Sequence, residues 1–380
     1  MIILHIGIAS SFTEGMSYQD NILPAINVKD GHEVIYISDC SKYVDGKLVE
    51  TEEEDILTND GFMLTRLKYD KIINKFISGK IRRVKKLYKI IEEIRPDVIL
   101  FHGCAGYEII NVAKYVKNNN DVKFYVDSHE DINNSGTNWL SLNVLHKIFY
   151  RFCNKKALPY INKILYLSEE SKDFLLDIYK LPEVKMEFYP LGGILFSVHE
   201  REEKRIRKRN ELSLTDRDIL LVHSGKMDKL KRTEEILQAF KQVKSDNIKL
   251  AIIGTFSDDV KELVFPLIES DNRINYLGWK SSDELMEYLC ASDLYVQPGG
   301  QSATMQNAIC CGSPVALYPH KSHKAFIKGN GYYVESIEDM IDVFNDVINN
   351  PYKIEKMRNN SLKIAYELLD YNKLAARLYE

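Results

Sequence analysis

The sequence predicts an α/β protein made of two parallel-sheet domains in tandem. Short apolar, β-branched runs alternate with longer amphipathic stretches, which calls for parallel strands joined by crossover helices. The alternation breaks once, in a charged stretch, and then starts again. A length of 380 residues exceeds one typical domain and suits two.

In the first half, strands are expected at 2–6, 33–38, 98–102, 123–127, 163–167 and 186–189. Helices are expected between them, around 18–29, 81–94, 107–118, 142–155 and 169–179. Residues 199–210 read HEREEKRIRKRN, charged and poor in apolar side chains, which places a linker around 190–215. Strands then return at 218–223, 248–253, 274–277, 294–297, 314–318 and 331–334, with helices at 233–243, 258–268, 282–291 and 303–310. Tandem units of this kind bind ligands at the carboxyl ends of their strands.

Composition narrows the function. Hydrophobic residues make up 45% and charged residues 28%, an ordinary balance for a folded soluble chain. A net charge of −4 argues against nucleic acid as a partner. The opening residues MIILHIGIAS lack a basic leader and read as a buried strand. No run of about 18 apolar residues marks a membrane span. Cys40, Cys104, Cys153, Cys290, Cys310 and Cys311 are scattered without a C-x-x-C pair, as expected of reduced thiols in the cytoplasm.

Two segments carry chemistry. The first runs His223-Ser-Gly225-Lys226-Met-Asp-Lys-Leu-Lys231-Arg232, from a strand ending at Gly225 to a helix beginning near Thr233. A helix N-terminus has unpaired N–H groups and a positive dipole end, so it attracts anions. Lys226 and Lys231 add two charges, enough to hold a diphosphate without a metal. A solvated lysine-rich loop is the plainer reading. The second runs Gln297-Pro-Gly299-Gly300-Gln301-Ser302-Ala303-Thr304-Met-Gln306-Asn307, followed by Cys310-Cys-Gly312-Ser-Pro314. Gly299 and Gly300 let the backbone approach a ligand closely, and Ser302 reads as an N-cap. Gln306 and Asn307 are either ligand contacts or amides satisfied by backbone.

Together these segments resemble the signature of retaining glycosyltransferases of family 4, also called group 1, which have the GT-B fold: two Rossmann-like domains facing an inter-domain cleft. The family's Gly-Arg-x-x-x-x-Lys-Gly loop is matched by Gly225, Lys226, Lys231 and Arg232, and its Ala-Phe helix ending by Ala239-Phe240. Lys226 replaces an arginine, which keeps charge and loses bidentate geometry. Tyr276-Leu-Gly278-Trp279 and Ala291-Ser-Asp293 resemble the next stretch, and Gly329-Asn-Gly331 a later turn. The resemblance assigns the nucleotide base to Trp279 and the phosphates and sugar to Gly225, Gly254, Gly278, Gly299, Gly300, Gln301, Ser302, Ala303 and Thr304. The family's two glutamates fall on Gly299 and Asn307, neither acidic; Asn307 can still bond a ribose hydroxyl.

In the first half, the loop carrying Gly15, Tyr18 and Gln19 resembles the family's glycine loop beside donor and acceptor. Asp127-Ser-His129-Glu130-Asp131 follows a strand, and His129 resembles the histidine near donor sugar and acceptor hydroxyl. A loop-capping role for His129 is the plain alternative, as N-capping is for Glu130. His102 lines an acceptor pocket or is structural. The resemblance therefore implies catalytic His129, Lys226 and Lys231, and acceptor contacts at Tyr18, His102 and Glu130. It implies an acceptor domain over 1–195, a nucleotide-sugar domain over 196–355, and a segment 356–380 returning to the first domain.

Basic stretches at 80–89 and 146–156 interleave cations with aromatics, either a solvated face or one that lies on an anionic membrane. The expected activity is hexosyl transfer from a nucleotide-diphosphate sugar, UDP-linked rather than GDP-linked, to a glycan or lipid-linked glycan in surface polysaccharide assembly. Retention, no resident cofactor or metal, and a cytoplasmic location at the inner face of the plasma membrane complete the expectation. A sugar-nucleotide epimerase, a phosphorylase and a non-catalytic nucleotide-sugar binder are the alternatives. The absence of G-x-G-x-x-G after the first strand argues against a dehydrogenase.

Overall fold

The computed structural model describes residues 1–380 apart from Ser17, Asp45, Gly46, Asn133 and Gln301. The chain divides into two compact units, Met1–Pro190 with Tyr371–Glu380, and Leu191–Asp370.

Among the described residues the first unit holds an eight-stranded sheet, ordered Met186–Phe188, Lys163–Tyr166, Lys123–Ser128, Val98–Phe101, Ile2–Gly7, Glu33–Asp39, Met63–Leu67, Glu54–Leu57. All neighbours run parallel except Glu54–Leu57, which pairs antiparallel at the edge. Side chains alternate between two apolar layers. Ile3, Val34 and Leu100 pack with Tyr371 and Leu374. Leu4, Ile6, Ile99, Phe101 and Phe124 pack with Leu87, Ile91 and Val112. A sheet covered on both faces needs strands that are apolar throughout, which is why these runs were legible as strands.

The four short strands between residues 41 and 67 were not legible. The first three are polar and largely exposed, while the fourth, Met63–Leu67, is mostly buried and carries Arg66, which ties the segment together. Its buried guanidinium donates to the carbonyls of Phe12, Asp39 and Ser41 at 2.9, 3.3 and 3.0 Å and pairs with Glu54 at 3.2 Å. The single helix expected at 81–94 is instead two, Lys75–Ile81 and Leu87–Ile94. The break is at Arg82, which takes a left-handed φ of +56° and donates to the Ala105 carbonyl at 2.5 Å. The helix expected at 142–155 opens with a wide π-helical stretch, Ser141–Tyr150, before Arg151–Ala157.

The second unit holds a six-stranded parallel sheet, ordered Ile274–Tyr276, Ile248–Phe256, Ile219–Met227, Leu294–Gln297, Val315–Leu317, Gly331–Tyr333. The central strand runs to Met227, two residues beyond the end expected at Gly225. The stretch expected as a linker is a 14-residue helix, Val198–Glu211. Ser197 and Glu200 form a capping box at its start. Two of its arginines turn inward: Arg205 and Arg209 reach the buried Asp293 carboxylate at 2.7 and 2.9 Å, and Arg358 joins them at 3.2 Å. Charge marked this segment as a connector, and a buried counter-charge made it part of the domain. Among the described residues no helix is long and apolar enough to cross a membrane.

Candidate functional site

In both sheets the strand order reverses at one point, where crevices form beyond the carboxyl ends. In the first sheet that point lies between Ile2–Gly7 and Val98–Phe101; in the second, between Ile219–Met227 and Leu294–Gln297.

The reversal in the first sheet puts His5 and His102 on neighbouring strands, with Asp127 one strand further. A chain of hydrogen bonds runs through them. His5 Nε2 meets Asn27 Oδ1 at 2.9 Å, His5 Nδ1 meets His102 Nε2 at 3.1 Å, and His102 Nδ1 meets Asp127 Oδ2 at 2.7 Å. The Gly103 N–H donates to Asp127 Oδ1 at 2.8 Å, and His129 Nε2 lies 3.4 Å from that same oxygen. Asp20, held by the Tyr36 hydroxyl at 3.1 Å, is 3.4 Å from His102 Nδ1.

Charge follows from these contacts. Desolvation and the neighbouring His102 push the His5 imidazole down to about 3, so it is neutral. Desolvation opposes charge on His102 too, but the Asp127 and Asp20 carboxylates outweigh it and raise its pKa. His5 donates from Nε2 to the Asn27 carbonyl oxygen, which leaves its Nδ1 to accept from His102 Nε2. For His129, desolvation is again overcome by Asp127, and its pKa rises to about 9 although the side chain is 43% exposed. Desolvation of the Asp127 carboxyl is likewise outweighed by the two imidazoles, which hold it well below the usual carboxylate range.

Glu130 accepts from the Cys104 N–H at 2.7 Å and the Ser128 hydroxyl at 2.8 Å. Its carboxylate is committed on both oxygens. His102, His129, Glu130 and Asp20 all line a cavity of about 880 Å³. The expected residues His102, His129 and Glu130 are therefore brought together. Gly15 and Tyr18 are exposed on the loop after the first strand and do not line the cavity. Asp127, Asp20 and His5 were missed as site residues. A buried-strand motif ending in Asp, Phe124-Tyr-Val-Asp127, was the only available signal for the first.

In the second unit, the turn Lys229–Lys231 packs directly on the glycine loop. The Gly300 N–H donates to Leu230 O at 2.8 Å, and Lys231 Nζ donates to Gly300 O at 3.2 Å. A Cβ on Gly299 would lie 2.0 Å from Leu230 O, which explains why no side chain stands there. Arg232 holds a φ of +55° where the family pattern has glycine. That conformation costs a non-glycine residue about 1–2 kcal/mol. The guanidinium offsets the cost by donating to Pro298 O at 3.0 Å and Glu335 O at 2.8 Å, and by pairing with Glu235. Buried His223 joins Val296 O at 2.8 Å and Thr233 Oγ1 at 3.0 Å, tying strand to helix. Desolvation and Lys231 push it down to about 4.

The two lysines differ. Lys226 is exposed at the strand end, while Lys231 is half-buried, and burial lowers its pKa against the pull of Asp228. Gly254, at φ +139°, has no room for a side chain, since a Cβ would fall 1.8 Å from Gly225 O; its N–H donates to Gly278 O at 2.8 Å. Trp279, next along, is 63% exposed. Ser302 is not the N-cap. That position is Ala303, preceding the helix Thr304–Cys310, and Ser302 Oγ accepts from Thr304 N at 3.4 Å. Asn307 is half-buried on that helix, and a Cβ on Gly193 would stand 3.0 Å from its Oδ1. Gln301 lies outside the described residues.

Residues 204–364 match the family model "Glycosyl transferases group 1". The chain is 25% identical over 366 residues to a Rickettsia felis protein named UDP-N-acetylglucosamine--N-acetylmuramyl-(pentapeptide) pyrophosphoryl-undecaprenol N-acetylglucosamine transferase, with 88% of each covered. Among solved structures it is similar to sucrose-phosphate synthase of Thermosynechococcus elongatus, with a TM-score of 0.69 at 13% identity, covering 99% of this chain and 96% of that one. It is also similar to HepE of Anabaena in complex with UDP, with a TM-score of 0.68 at 14% identity, covering 99% and 97%. The chain has the GT-B fold, and its residues 204–364 carry the pattern of the group 1 glycosyl transferases.

Proposed function

We propose that this protein is a glycosyltransferase that takes a sugar from a nucleotide-diphosphate donor, a UDP-sugar, and places it on a glycan or lipid-linked glycan. The observation that carries this reading is the closed contact between the Lys229–Lys231 turn and the glycine loop at the switch point of the second sheet. It brings Lys231 onto the glycine loop, with Lys226 exposed at the end of the preceding strand, and positive charge in that place is what a departing diphosphate needs without a metal. The base belongs by Gly278-Trp279 and the ribose by Asn307.

Retention of the donor's anomeric configuration fits the other unit. An inverting enzyme needs a general base near neutral pKa. His129 is held as a cation to about pH 9, and both oxygens of Glu130 are engaged. A charged His129 is suited to bonding a hydroxyl rather than abstracting its proton, and in this reading the diphosphate itself takes the acceptor's proton. The exposed basic segments fit a peripheral location on an anionic, cytoplasmic membrane face.

The test is acceptor-dependent release of nucleoside diphosphate, first screening UDP-sugars by thermal shift, since a ligand of the native state raises apparent stability. Lys231→Ala should lower turnover on the order of 10²-fold, and EDTA should change nothing. Collapse in EDTA with rescue by Mg²⁺ would reject the metal-free mechanism. A β-linked product from an α-linked donor, read from the anomeric coupling constant, would reject retention. Tight donor binding with no turnover would favour the non-catalytic reading, for which the side-chain-free Gly299 is the supporting observation.

A further inference from the structure

The cavity of the first unit has two kinds of wall. Strand ends contribute His102, His129, Glu130 and Asp20. The helix Lys75–Ile81 and the stretch Leu140–Tyr150 contribute Phe76, Ile77, Ile81, Val144 and Phe149 among others. The two helical walls are joined where the Tyr150 hydroxyl donates to Lys80 O at 2.5 Å. The apolar wall is not sealed. Phe76 is 71% exposed, Leu140 59% and Val144 42%, and Trp139, beside Leu140, is 73% exposed. Clustered exposure of large apolar side chains around a concave surface marks a binding surface rather than ordinary scatter.

Cations line the same cavity. Lys80 Nζ stands 5.7 Å from the Phe76 ring, and Arg82 is fixed at the break between the helices by its bond to Ala105 O. At the strand ends three carboxylates, Asp20, Asp127 and Glu130, face the two imidazoles of His102 and His129, so no net positive charge is left for an anion there and it falls to Lys80 and Arg82. The cavity thus offers an apolar wall, a cationic element and a polar, hydroxyl-bonding end.

We propose that this cavity binds an amphiphilic acceptor, a lipid carrying a phosphate or diphosphate headgroup, with its chain along Phe76, Leu140 and Val144 and its phosphate at Lys80 and Arg82. This deepens the transferase reading and rests on it for the identity of the ligand as acceptor. The sugar or hydroxyl beyond the phosphate would then meet His129 and His102.

Trp139 and Trp279 are the two tryptophans of the chain, so in the full chain carrying Trp279→Phe the emission reports Trp139 alone. Three probes are titrated: geranylgeranyl diphosphate, geranylgeraniol and inorganic pyrophosphate. The diphosphate lipid should blue-shift Trp139 and bind at least tenfold more tightly than the alcohol, and pyrophosphate should leave the emission unmoved. Val144→Asp, and independently Leu140→Asp, should weaken the lipid at least tenfold. Lys80→Glu should weaken the diphosphate lipid and spare the alcohol. Pyrophosphate shifting Trp139 as strongly as the lipid would overturn the proposal in favour of a free-phosphate site. Equal affinity for lipid and alcohol would overturn the phosphate contact, and no response to any probe would overturn the groove. UDP binding, measured by calorimetry on the full chain with Trp279 intact, separates the two readings. UDP bound without a lipid response removes the groove and leaves the transferase; a lipid response without UDP binding does the reverse.

Discussion

Asp127 is one buried carboxylate facing two imidazoles, and most of the first unit's electrostatics follows from that. Because His129 titrates at about 9 when folded, above the ordinary value of 6.5, its contribution to stability is complete below pH 6.5 and is lost as pH rises through 9. Asp127 is shifted the other way, so its contribution holds above its ordinary 3.8 and is lost as pH falls below that. Denaturant titrations should therefore show stability declining from about pH 6.5 toward pH 9, and declining also as pH falls from 6.5 toward 4, where His5 and His223 protonate in the unfolded chain and not in the folded one. Asp127→Asn should remove the alkaline decline; an unchanged slope in the variant would assign the decline to other groups. In the second unit, Gly299 marks a departure from the family pattern with a steric cause. Gly299→Glu should not restore a sugar contact. It should lower the melting temperature and leave donor affinity no better, because its Cβ meets the Leu230 carbonyl. A gain in donor affinity would show that the turn can move aside.

At the scale of elements, the helix Val198–Glu211 has the most to say about how charge is used. Its capping box starts it, and Arg205, Arg209 and Arg358 converge on Asp293, which also accepts from the Leu220 N–H at 2.9 Å. Desolvation alone would raise the Asp293 pKa, and the three guanidinium groups lower it. Removing the one anion leaves three cations at a buried site. Asp293→Asn should cost about 3–5 kcal/mol in urea unfolding. A loss under about 1 kcal/mol would mean that the arginines find other partners or water. The same segment shows why sequence patterning misread it: side-chain charge is local information, while Asp293 lies more than 80 residues away. The break at Arg82 is of the same kind, since helix periodicity continues through it while the partners that hold it, Ala105 O, the Tyr107 N–H and Glu108, lie more than 20 residues on.

For the whole molecule, the last ten residues matter out of proportion to their number. Tyr371, Leu374 and Leu378 share a core with Ile3, Leu23, Val34 and Leu100, and the Tyr189 hydroxyl donates to Leu374 O at 2.6 Å. The first unit is thus closed by a segment that follows the second in sequence. A chain ending at Asp370 should melt at a lower temperature, with amide exchange in Ile2–Gly7 and Glu33–Asp39 accelerated and the second unit's sheet spared. Equal protection in both sheets would show that these residues are ornamental to the first unit.

What the sequence determined by itself was whatever short-range pattern encodes. Doubly covered strands read as apolar runs, glycine loops announced the carboxyl ends of the second sheet, and Lys226, Lys231, His129 and Glu130 stood out as strand-end polar groups. Strand Leu294–Gln297 and helix Ser282–Ala291 came out at their observed bounds. Tertiary structure decided everything that depends on partners far apart in the chain. His5, His102 and Asp127 become one hydrogen-bonded system only because their strands are neighbours, and burial then sets which ring carries the charge. Arg66 and Arg232 look like surface cations in sequence, yet each clamps several carbonyls of distant loops. The physical reason is common to them all: periodicity reports which face of an element is apolar, but the partner of a buried polar group is chosen by topology.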